Sequence, residues 1–129
     1  MTDITNKKIG IWGFGLVGKS ALNYLTSLNN TCQVLDNRIL TQKEHDAIRQ
    51  HNATCVPQDH LNKFLHDNDY ILASPGIDIT RYTHQAHFIC ELDIFAHYWK
   101  KPIIAITGSV GKTTVTTLLG KILNKKYNV

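Results

Sequence analysis

Short apolar runs alternate along this chain with segments in which apolar residues recur three and four positions apart. The runs predict β-strands and the wider spacing predicts amphipathic helices. In the first predicted helix, one apolar face is formed by Ala21, Leu22, Leu25 and Leu28. Regular alternation of strands and helices is typical of βαβ units and of a mostly parallel sheet.

Strands are predicted at residues 8–12, 33–35, 54–56, 70–73, 88–90 and 102–106. Helices are predicted at about 17–28, 42–51, 61–67, 80–87, 91–99 and 112–125. We therefore expect an α/β fold in which residues 1–100 form a Rossmann-like, doubly wound domain. Residues 101–129 supply one more strand, loop and helix, and we expect them to begin a different domain.

The first predicted strand is followed at once by the spacing Gly13-x-Gly15-x-x-Gly18, and then by the first helix. Asp36 lies eighteen residues beyond the last glycine, which completes the dinucleotide-binding fingerprint. Gly13 permits a tight turn, Gly15 lets backbone amides approach a diphosphate, and Gly18 lets the helix pack on the sheet. The pattern predicts a diphosphate at the helix N-terminus. A glycine turn retained only for packing is the alternative.

The same segment, from Gly13 to Ser20, also satisfies the literal ATP-loop pattern GxxxxGK[ST]. In that interpretation Lys19 would contact phosphates and Ser20 would bind magnesium. We favour the diphosphate interpretation because Gly15 and Asp36 fit it, and because a second loop fits ATP better. Lys19 is then predicted to be a surface residue of the first helical turn.

The second loop follows the apolar run 103–106, although Ile106 stands where the literal pattern has its first glycine. Its backbone amides can surround phosphate oxygens, Lys112 can reach the β- and γ-phosphates, and the Thr113 hydroxyl can bind Mg²⁺. We therefore predict ATP and Mg²⁺ as cofactors and Lys112 as the catalytic residue. The predicted ATP-binding residues are Gly108, Ser109, Val110, Gly111, Lys112, Thr113 and Thr114. Residues 101–129 are accordingly predicted to be the first β-P-loop-α unit of an incomplete ATPase domain.

Taken together, the segments 13–18, 36–38, 73–77, 91–95 and 104–118 resemble the Mur ligase family in their residues, order and spacing. The resemblance covers nearly the whole chain from Lys8 onward. It implies an ATP-dependent amide ligase of peptidoglycan precursor synthesis. Such an enzyme would join D-glutamate to UDP-N-acetylmuramoyl-L-alanine through an acyl phosphate.

The resemblance also implies which residues bind the UDP-linked substrate. Amides of the first loop would contact the diphosphate, residues 36–38 would contact the uracil, with Arg38 stacked on the base, and Gly76 would help to close the pocket. The implied substrate-binding residues are Gly15, Leu16, Val17, Gly18, Asp36, Asn37, Arg38, Ser74 and Gly76. Two departures are visible, because related ligases often carry Thr at the position of Val17 and Asn at that of Val110.

Composition narrows the classes of partner. A net charge of +4 suits phosphorylated ligands but is not the dense basic patch of a nucleic-acid binder. No apolar run approaches the roughly 18 residues of a membrane span, so neither nucleic acid nor membrane is an expected partner. The three cysteines are odd in number and free of any CxxC pattern, which predicts buried free thiols and a reducing cytoplasm.

Two other function classes stay open. One is an NAD(P)-dependent oxidoreductase with Asp36 on the ribose, although such an enzyme has no use for the second loop. The other is a non-catalytic module that captures a UDP-sugar. The family's remaining catalytic segments lie outside these 129 residues, so we expect the chain alone not to catalyse ligation. We expect a monomer, with a dimer through the apolar strand at residues 103–106 as the alternative.

Overall fold

The computed structural model describes residues 3–128, and its centre is a five-stranded, fully parallel sheet. The strands are β1 (Lys8–Trp12), β2 (Thr31–Leu35), β3 (Thr54–Cys55), β4 (Tyr70–Ala73) and β5 (Phe88–Ile89). Their order in the sheet is β3-β2-β1-β4-β5, so β1 is central and pairs with both β2 and β4. The predicted doubly wound α/β fold is confirmed.

The described residues also form five α-helices. They are α1 (Leu16–Ser27), α2 (Gln42–Gln50), α3 (Leu61–Asp67), α4 (Glu91–Tyr98) and α5 (Lys112–Leu123), and a 3₁₀ turn at Gln58–His60 leads into α3. Helix α2 begins with a capping box, in which Thr41 and Glu44 each accept a backbone hydrogen bond from the other. None of the described helices is both long and apolar enough to cross a membrane.

Both faces of the sheet are buried, because the strands between Ile9 and Leu72 alternate their side chains between two apolar clusters. One cluster joins β1 to helices α1, α2 and α4 through Ile9, Ile11, Leu22, Leu25, Ile48 and Ile94. The other joins β1 to helix α3 through Trp12, Leu35, Phe64, Leu65 and Ile71. Each fully buried side chain of this size contributes about 1.5–3 kcal/mol.

Residues 80–87 do not form the predicted helix. They form successive turns, in which the N–H of Tyr82 donates to Ile79 and that of Gln85 donates to Tyr82, over 2.8 and 2.9 Å. The hydroxyl of Thr83 donates to the carbonyl of Thr80. Such local side-chain bonds offer the backbone an alternative to helical bonding, and the β-branched threonines reinforce it.

The predicted strand at residues 102–106 is also wrong. Contacts divide the chain between Trp99 and Lys100, and in the second unit helix α5 forms while residues 102–106 pair with no described backbone. Ile103 and Ile104 are 56% and 61% exposed. A strand exists only as part of a ladder, so an apolar run without a neighbouring strand stays irregular. The functional division near residue 100 stays a prediction.

All three cysteines are free thiols, but only Cys32 is buried as predicted. Burial raises the pKa of its thiol to about 11. Cys55 is exposed because it ends the two-residue edge strand β3, and Cys90 is half-buried at the start of α4.

Candidate functional site

The carboxyl ends of three adjacent strands meet at one edge of the sheet. The loop 13–18 follows β1, the segment 36–38 follows β2, and the segment 74–76 follows β4. The structure therefore brings together all the substrate-binding residues predicted from the sequence. Ligands of doubly wound sheets bind at this edge. The predicted ATP-binding residues, 108–114, lie in the second unit.

Two glycines of the first loop are required by the protein's own packing. Gly13 has a φ of +95°, and a Cβ there would lie 2.8 Å from Ser74 Oγ. A Cβ on Gly18 would lie 2.1 Å from the carbonyl oxygen of Gly13. These two positions therefore admit no side chain, whether or not a ligand binds.

Gly15 is different, because among the described residues no atom beyond its chain neighbours would lie within 4 Å of a Cβ placed on it. It is the N-cap of α1, no side chain caps this helix, and its first turn carries no acidic residue. Gly15 and Leu16 are exposed. Uncapped N–H groups and the positive end of the helix dipole together form an anion-binding site. An open glycine there leaves room for a ligand to approach the backbone.

The carboxylate of Asp36 ties this loop to the end of β2. It accepts hydrogen bonds from the N–H of Phe14 (2.6 Å) and from the backbone N–H, Nε and Nη2 of Arg38 (2.8, 3.1 and 3.1 Å). Burial raises the pKa of Asp36, but the bonds from Arg38 and Phe14 outweigh it and hold the pKa below its ordinary value. A carboxylate has about four positions at which it can accept a hydrogen bond. The bonds from Phe14 and Arg38 therefore fill the acceptor positions of Asp36.

A second carboxylate connects the first turn of α1 to α2. Lys19 Nζ lies 2.8 Å from Glu44 Oε1, and Arg38 Nη2 lies 3.8 Å from the same atom. The hydrogen bond from Lys19, followed by those from Thr41, lowers the pKa of Glu44 to about 2. Lys19 is thus a half-exposed residue paired with α2, rather than a lysine extended toward a phosphate. The spacing Thr41-x-x-Glu44, a capping-box signature, is the sequence signal for this arrangement.

The segment after β4 supports the loop from the other side. Ser74 Oγ donates to the carbonyl of Gly13 over 3.1 Å, and the N–H of Ser74 donates to the carbonyl of Trp12 over 2.9 Å. The N–H of Ile77 closes a turn on the carbonyl of Ser74. Gly76, in the middle of this turn, is exposed and has open space around it.

Sequence reasoning missed two features here. The indole of Trp12, at the end of β1, donates to the side-chain oxygen of Asn37 over 3.3 Å. An apolar cleft of about 540 Å³ lies between α1 and α4 and includes Leu16, Val17 and Phe95 in its lining. Both features depend on which strand ends and helices become neighbours, and no local motif signals them.

The second loop combines two left-handed glycines with the start of a helix. Gly108 and Gly111 have φ values of +155° and +82°, and Gly111 is the N-cap of α5 without any side-chain cap. The ammonium group of Lys112 donates to the carbonyl of Gly108, and the Thr113 side chain is exposed. Free N–H groups, an ammonium group and a hydroxyl at one helix N-terminus fit a triphosphate with its magnesium ion.

Comparison with known proteins decides the family. The sequence model of the Mur ligase MurD-like N-terminal domain matches residues 7–94 of the chain. The chain belongs to the Mur ligase family. Its MurD-like domain contains every candidate residue of the first site.

Relatives of this Mur ligase chain are longer than the chain itself. It is 33% identical to UDP-N-acetylmuramoylalanine--D-glutamate ligase of Escherichia coli over 132 aligned positions. The alignment covers 95% of this chain but only 29% of that protein. Among solved structures, a pseudomurein peptide ligase type C from Methanothermus fervidus matches with a TM-score of 0.60 and 29% identity, over 93% of this chain and 26% of that one. A murein peptide ligase from Psychrobacter arcticus shares the fold, with a TM-score of 0.58 and 23% identity over 92% and 26% of the two chains.

Proposed function

We propose that this chain supplies the UDP-substrate site and the ATP phosphate loop of a ligase that adds D-glutamate to UDP-N-acetylmuramoyl-L-alanine. The observation that carries the proposal is the N-terminus of α1, which is uncapped and begins at Gly15, a glycine that the protein's own packing does not require. The name of the Escherichia coli relative supports this choice of substrates.

In the proposed site, each group has a distinct task. The N–H groups at Gly15, Leu16 and Val17 bind the diphosphate, and Gly18 lets the helix approach closely enough for them to do so. Asp36 acts mainly through its neighbours, because it holds the Phe14 amide and fixes the guanidinium plane of Arg38. That plane is then ready to stack on the uracil ring.

The hydrogen bonds that the Asp36 carboxylate already accepts also argue against the dehydrogenase alternative. A dinucleotide-binding dehydrogenase uses the acidic residue after β2 to accept hydrogen bonds from the ribose hydroxyls. The acceptor positions of Asp36 are taken by Phe14 and Arg38. The side chain of Asp36 is only 6% exposed, so little of it is open to a ribose.

The second loop is assigned the binding of ATP and the transfer of its phosphoryl group. ATP transfers its γ-phosphoryl group to the terminal carboxylate of the substrate, which gives an acyl phosphate and ADP. The amine of D-glutamate then attacks the acyl carbon, forms the amide bond and releases inorganic phosphate. Lys112 stabilises charge on the transferring group, and Thr113 would hold Mg²⁺, which neutralises phosphate charge.

The test is calorimetric binding of UDP-N-acetylmuramoyl-L-alanine, NAD and Mg·ATP to the chain. We expect the muropeptide to bind and NAD not to bind. Gly15→Ala should weaken muropeptide binding about tenfold, since its methyl group displaces the diphosphate from amide hydrogen bonds. Its melting temperature should fall by no more than a few degrees, because the methyl group meets no atom of the described residues and the only loss is that alanine is a poorer N-cap than glycine.

The matched control is Gly120→Ala, which also enters open space but lies outside the first site. Its muropeptide affinity should equal that of the wild type. Binding of NAD in place of the muropeptide, or a Gly15→Ala variant with full affinity, would refute the proposed substrate site.

For the second loop, Lys112→Ala should weaken binding of Mg·ATP, whereas Lys121→Ala, an exposed lysine on the same helix, should not. Equal Mg·ATP affinity in the two variants would count against the proposed role of Lys112.

A further inference from the structure

A buried neighbour fixes the orientation of the Asn37 side-chain amide. The indole N–H of Trp12 donates to Asn37 Oδ1 over 3.3 Å, and Trp12 is only 3% exposed. An indole nitrogen can donate a hydrogen bond but cannot accept one. The amide atom that faces Trp12 must therefore be the oxygen, and the amide nitrogen of Asn37 must point elsewhere.

The indole itself is held by packing. Its ring lies edge-to-face with Tyr82 at a centroid distance of 5.3 Å, and it belongs to the buried cluster that includes Leu35 and Phe64. A ring enclosed in this way keeps its N–H aimed in one direction. The orientation of Asn37 is thus imposed by the core of the domain.

The amide nitrogen of Asn37 keeps two donors for a ligand. Asn37 is exposed, and no described residue accepts a hydrogen bond from this nitrogen. The two neighbouring side chains offer no free acceptor either, because Arg38 carries only donors and the acceptor positions of Asp36 are occupied. The side chains of the segment 36–38 therefore present hydrogen-bond donors to whatever lies beside them.

This segment lies where a nucleoside is expected. In doubly wound folds whose first loop binds a diphosphate, the nucleoside end of the ligand lies beside the end of β2. Uracil carries a carbonyl oxygen at C4, where cytosine carries an amino group. A fixed amide nitrogen can donate to the carbonyl, but against the amino group it would leave two donors facing each other without an acceptor.

We propose that Trp12 is a positioning residue that, by fixing the amide of Asn37, makes this site select a nucleoside diphosphate with a carbonyl at C4 of its base. The inference rests on the proposed function for the diphosphate-binding loop, and it adds which side chains distinguish the base. UDP is expected to bind at least about tenfold more tightly than CDP, the usual consequence of leaving one polar pair unmatched.

The experiment measures calorimetric affinities for UDP and CDP in the wild type and three variants. Trp12→Phe keeps an aromatic ring in the core but removes the N–H, so the amide of Asn37 is free to turn its oxygen toward an amino group. The ratio of UDP to CDP affinity should fall toward one. Trp99→Phe removes the other indole N–H of the chain and should leave the ratio unchanged.

Asn37→Asp is the third variant, and it does not disturb the core. An aspartate of the same shape presents only acceptors, so the preference should shift toward CDP even though both affinities fall from added negative charge. Thermal melting of each variant shows whether it is folded at the temperature of the titration, and Asn37→Asp still decides the matter where Trp12→Phe does not fold.

The outcomes separate this inference from the proposed function. UDP and CDP binding with equal affinity to the wild type would overturn the role of Trp12 and Asn37 while leaving the diphosphate site intact. A UDP preference that persists in a folded Trp12→Phe, or in Asn37→Asp, would overturn it as well. Failure of the folded wild type to bind either nucleotide would refute the proposed site, and this inference with it.

Discussion

The loops at 13–18 and 108–114 both lead from an apolar segment into a helix, but they are held in place by different parts of the chain. In the first loop, the N–H of Gly13 donates to Leu35, and Asp36 and Ser74 each contribute a further hydrogen bond. In the second, the bonds are local, from Lys112 to Gly108 and from Val115 to Gly111. The first loop is therefore part of the cooperative core, whereas the second is shaped by its own backbone.

The segments that precede the two loops differ in the same way. Strand β1 is paired on both sides and its apolar side chains are buried. Residues 102–106 are as apolar in sequence, yet they have no paired strand, and from Lys100 to Asn128 every described residue is at least partly exposed. A phosphate-loop sequence thus specifies its turn, but the strand that supports the turn requires a sheet.

The difference between the two loops is tested most directly at the glycine within the helix that follows each loop, which is Gly18 in α1 and Gly120 in α5. Gly18→Ala should destabilise the first unit by about 3 kcal/mol, the upper end of the usual cost of overpacking, since the rigid backbone that its methyl group meets cannot relax easily. Gly120→Ala meets open space and should stabilise α5 by about 0.5–1 kcal/mol through helix propensity. Urea unfolding followed by circular dichroism measures the first effect, and hydrogen exchange of the α5 amides measures the second. Similar effects at the two sites would contradict this difference in packing between the two helices.

The left-handed glycines give a finer comparison. Gly13 and Gly111 have φ values of +95° and +82°, so alanine should cost about 1–2 kcal/mol of backbone strain at either position. Only Gly13 would also place its methyl group 2.8 Å from Ser74. We expect Gly13→Ala to lower the melting temperature of the first unit and Gly111→Ala to leave it unchanged. A first unit that melts earlier in Gly111→Ala would mean that the second loop supports the first unit.

Asp36→Asn tests the hydrogen bond by which Asp36, a residue distant in sequence, keeps the first loop in place. The amide keeps the shape of the carboxylate but loses its charge and brings a donor toward the donors of Phe14 and Arg38. The free energy of unfolding should fall by about 1.5–3 kcal/mol, the usual contribution of hydrogen bonds to a charged group. The exposed Asp67 provides the control, because Asp67→Asn should change stability by no more than about 0.5 kcal/mol. Equal effects of the two substitutions would contradict the role of Asp36.

The smallest expected effect is the pH dependence that Glu44 contributes. Its pKa is lowered from 4.5 to about 2 in the folded chain, so folding favours the ionised form. The stabilisation is complete above about pH 4.5 and is lost as the pH falls toward 2. Melting temperatures across this range should therefore fall less steeply in Glu44→Gln than in the wild type. Glu91→Gln, an exposed substitution at the start of α4, should follow the wild-type curve.

Much of the fold could be predicted from local pattern, because the first four strands and the helices α1, α2 and α3 are each specified by an apolar run or an amphipathic face. Residues 80–87 could not, since the turns there depend on side-chain bonds of Thr83 and on Tyr82 packing beneath the sheet. The strand at 102–106 could not, because its existence depends on a partner.

The candidate site shows the same limit. Its glycines could be predicted individually, but the sequence does not say which of them the protein needs for packing and which it leaves open. That distinction rests on the distances from Gly13 and Gly18 to atoms elsewhere. The hydrogen bonds from Phe14 to Asp36, and from Trp12 to Asn37, join residues 22 and 25 positions apart, and only the pairing of β1 with β2 brings them together.

The unequal exposure of the cysteines gives the chain a natural attachment point for a chemical probe. Cys55 is exposed and lies opposite Val34 of β2, two residues before Asp36. Its pKa is raised by partial burial and then by the charge of Asp36, so a thiol reagent will need mildly alkaline solution to meet the thiolate. Cys32, with a pKa of about 11 and no exposed surface to speak of, will not compete. With the half-buried Cys90 replaced by serine, a fluorophore on Cys55 would sit beside the segment 36–38 and report the arrival of a nucleotide without any substitution in the site.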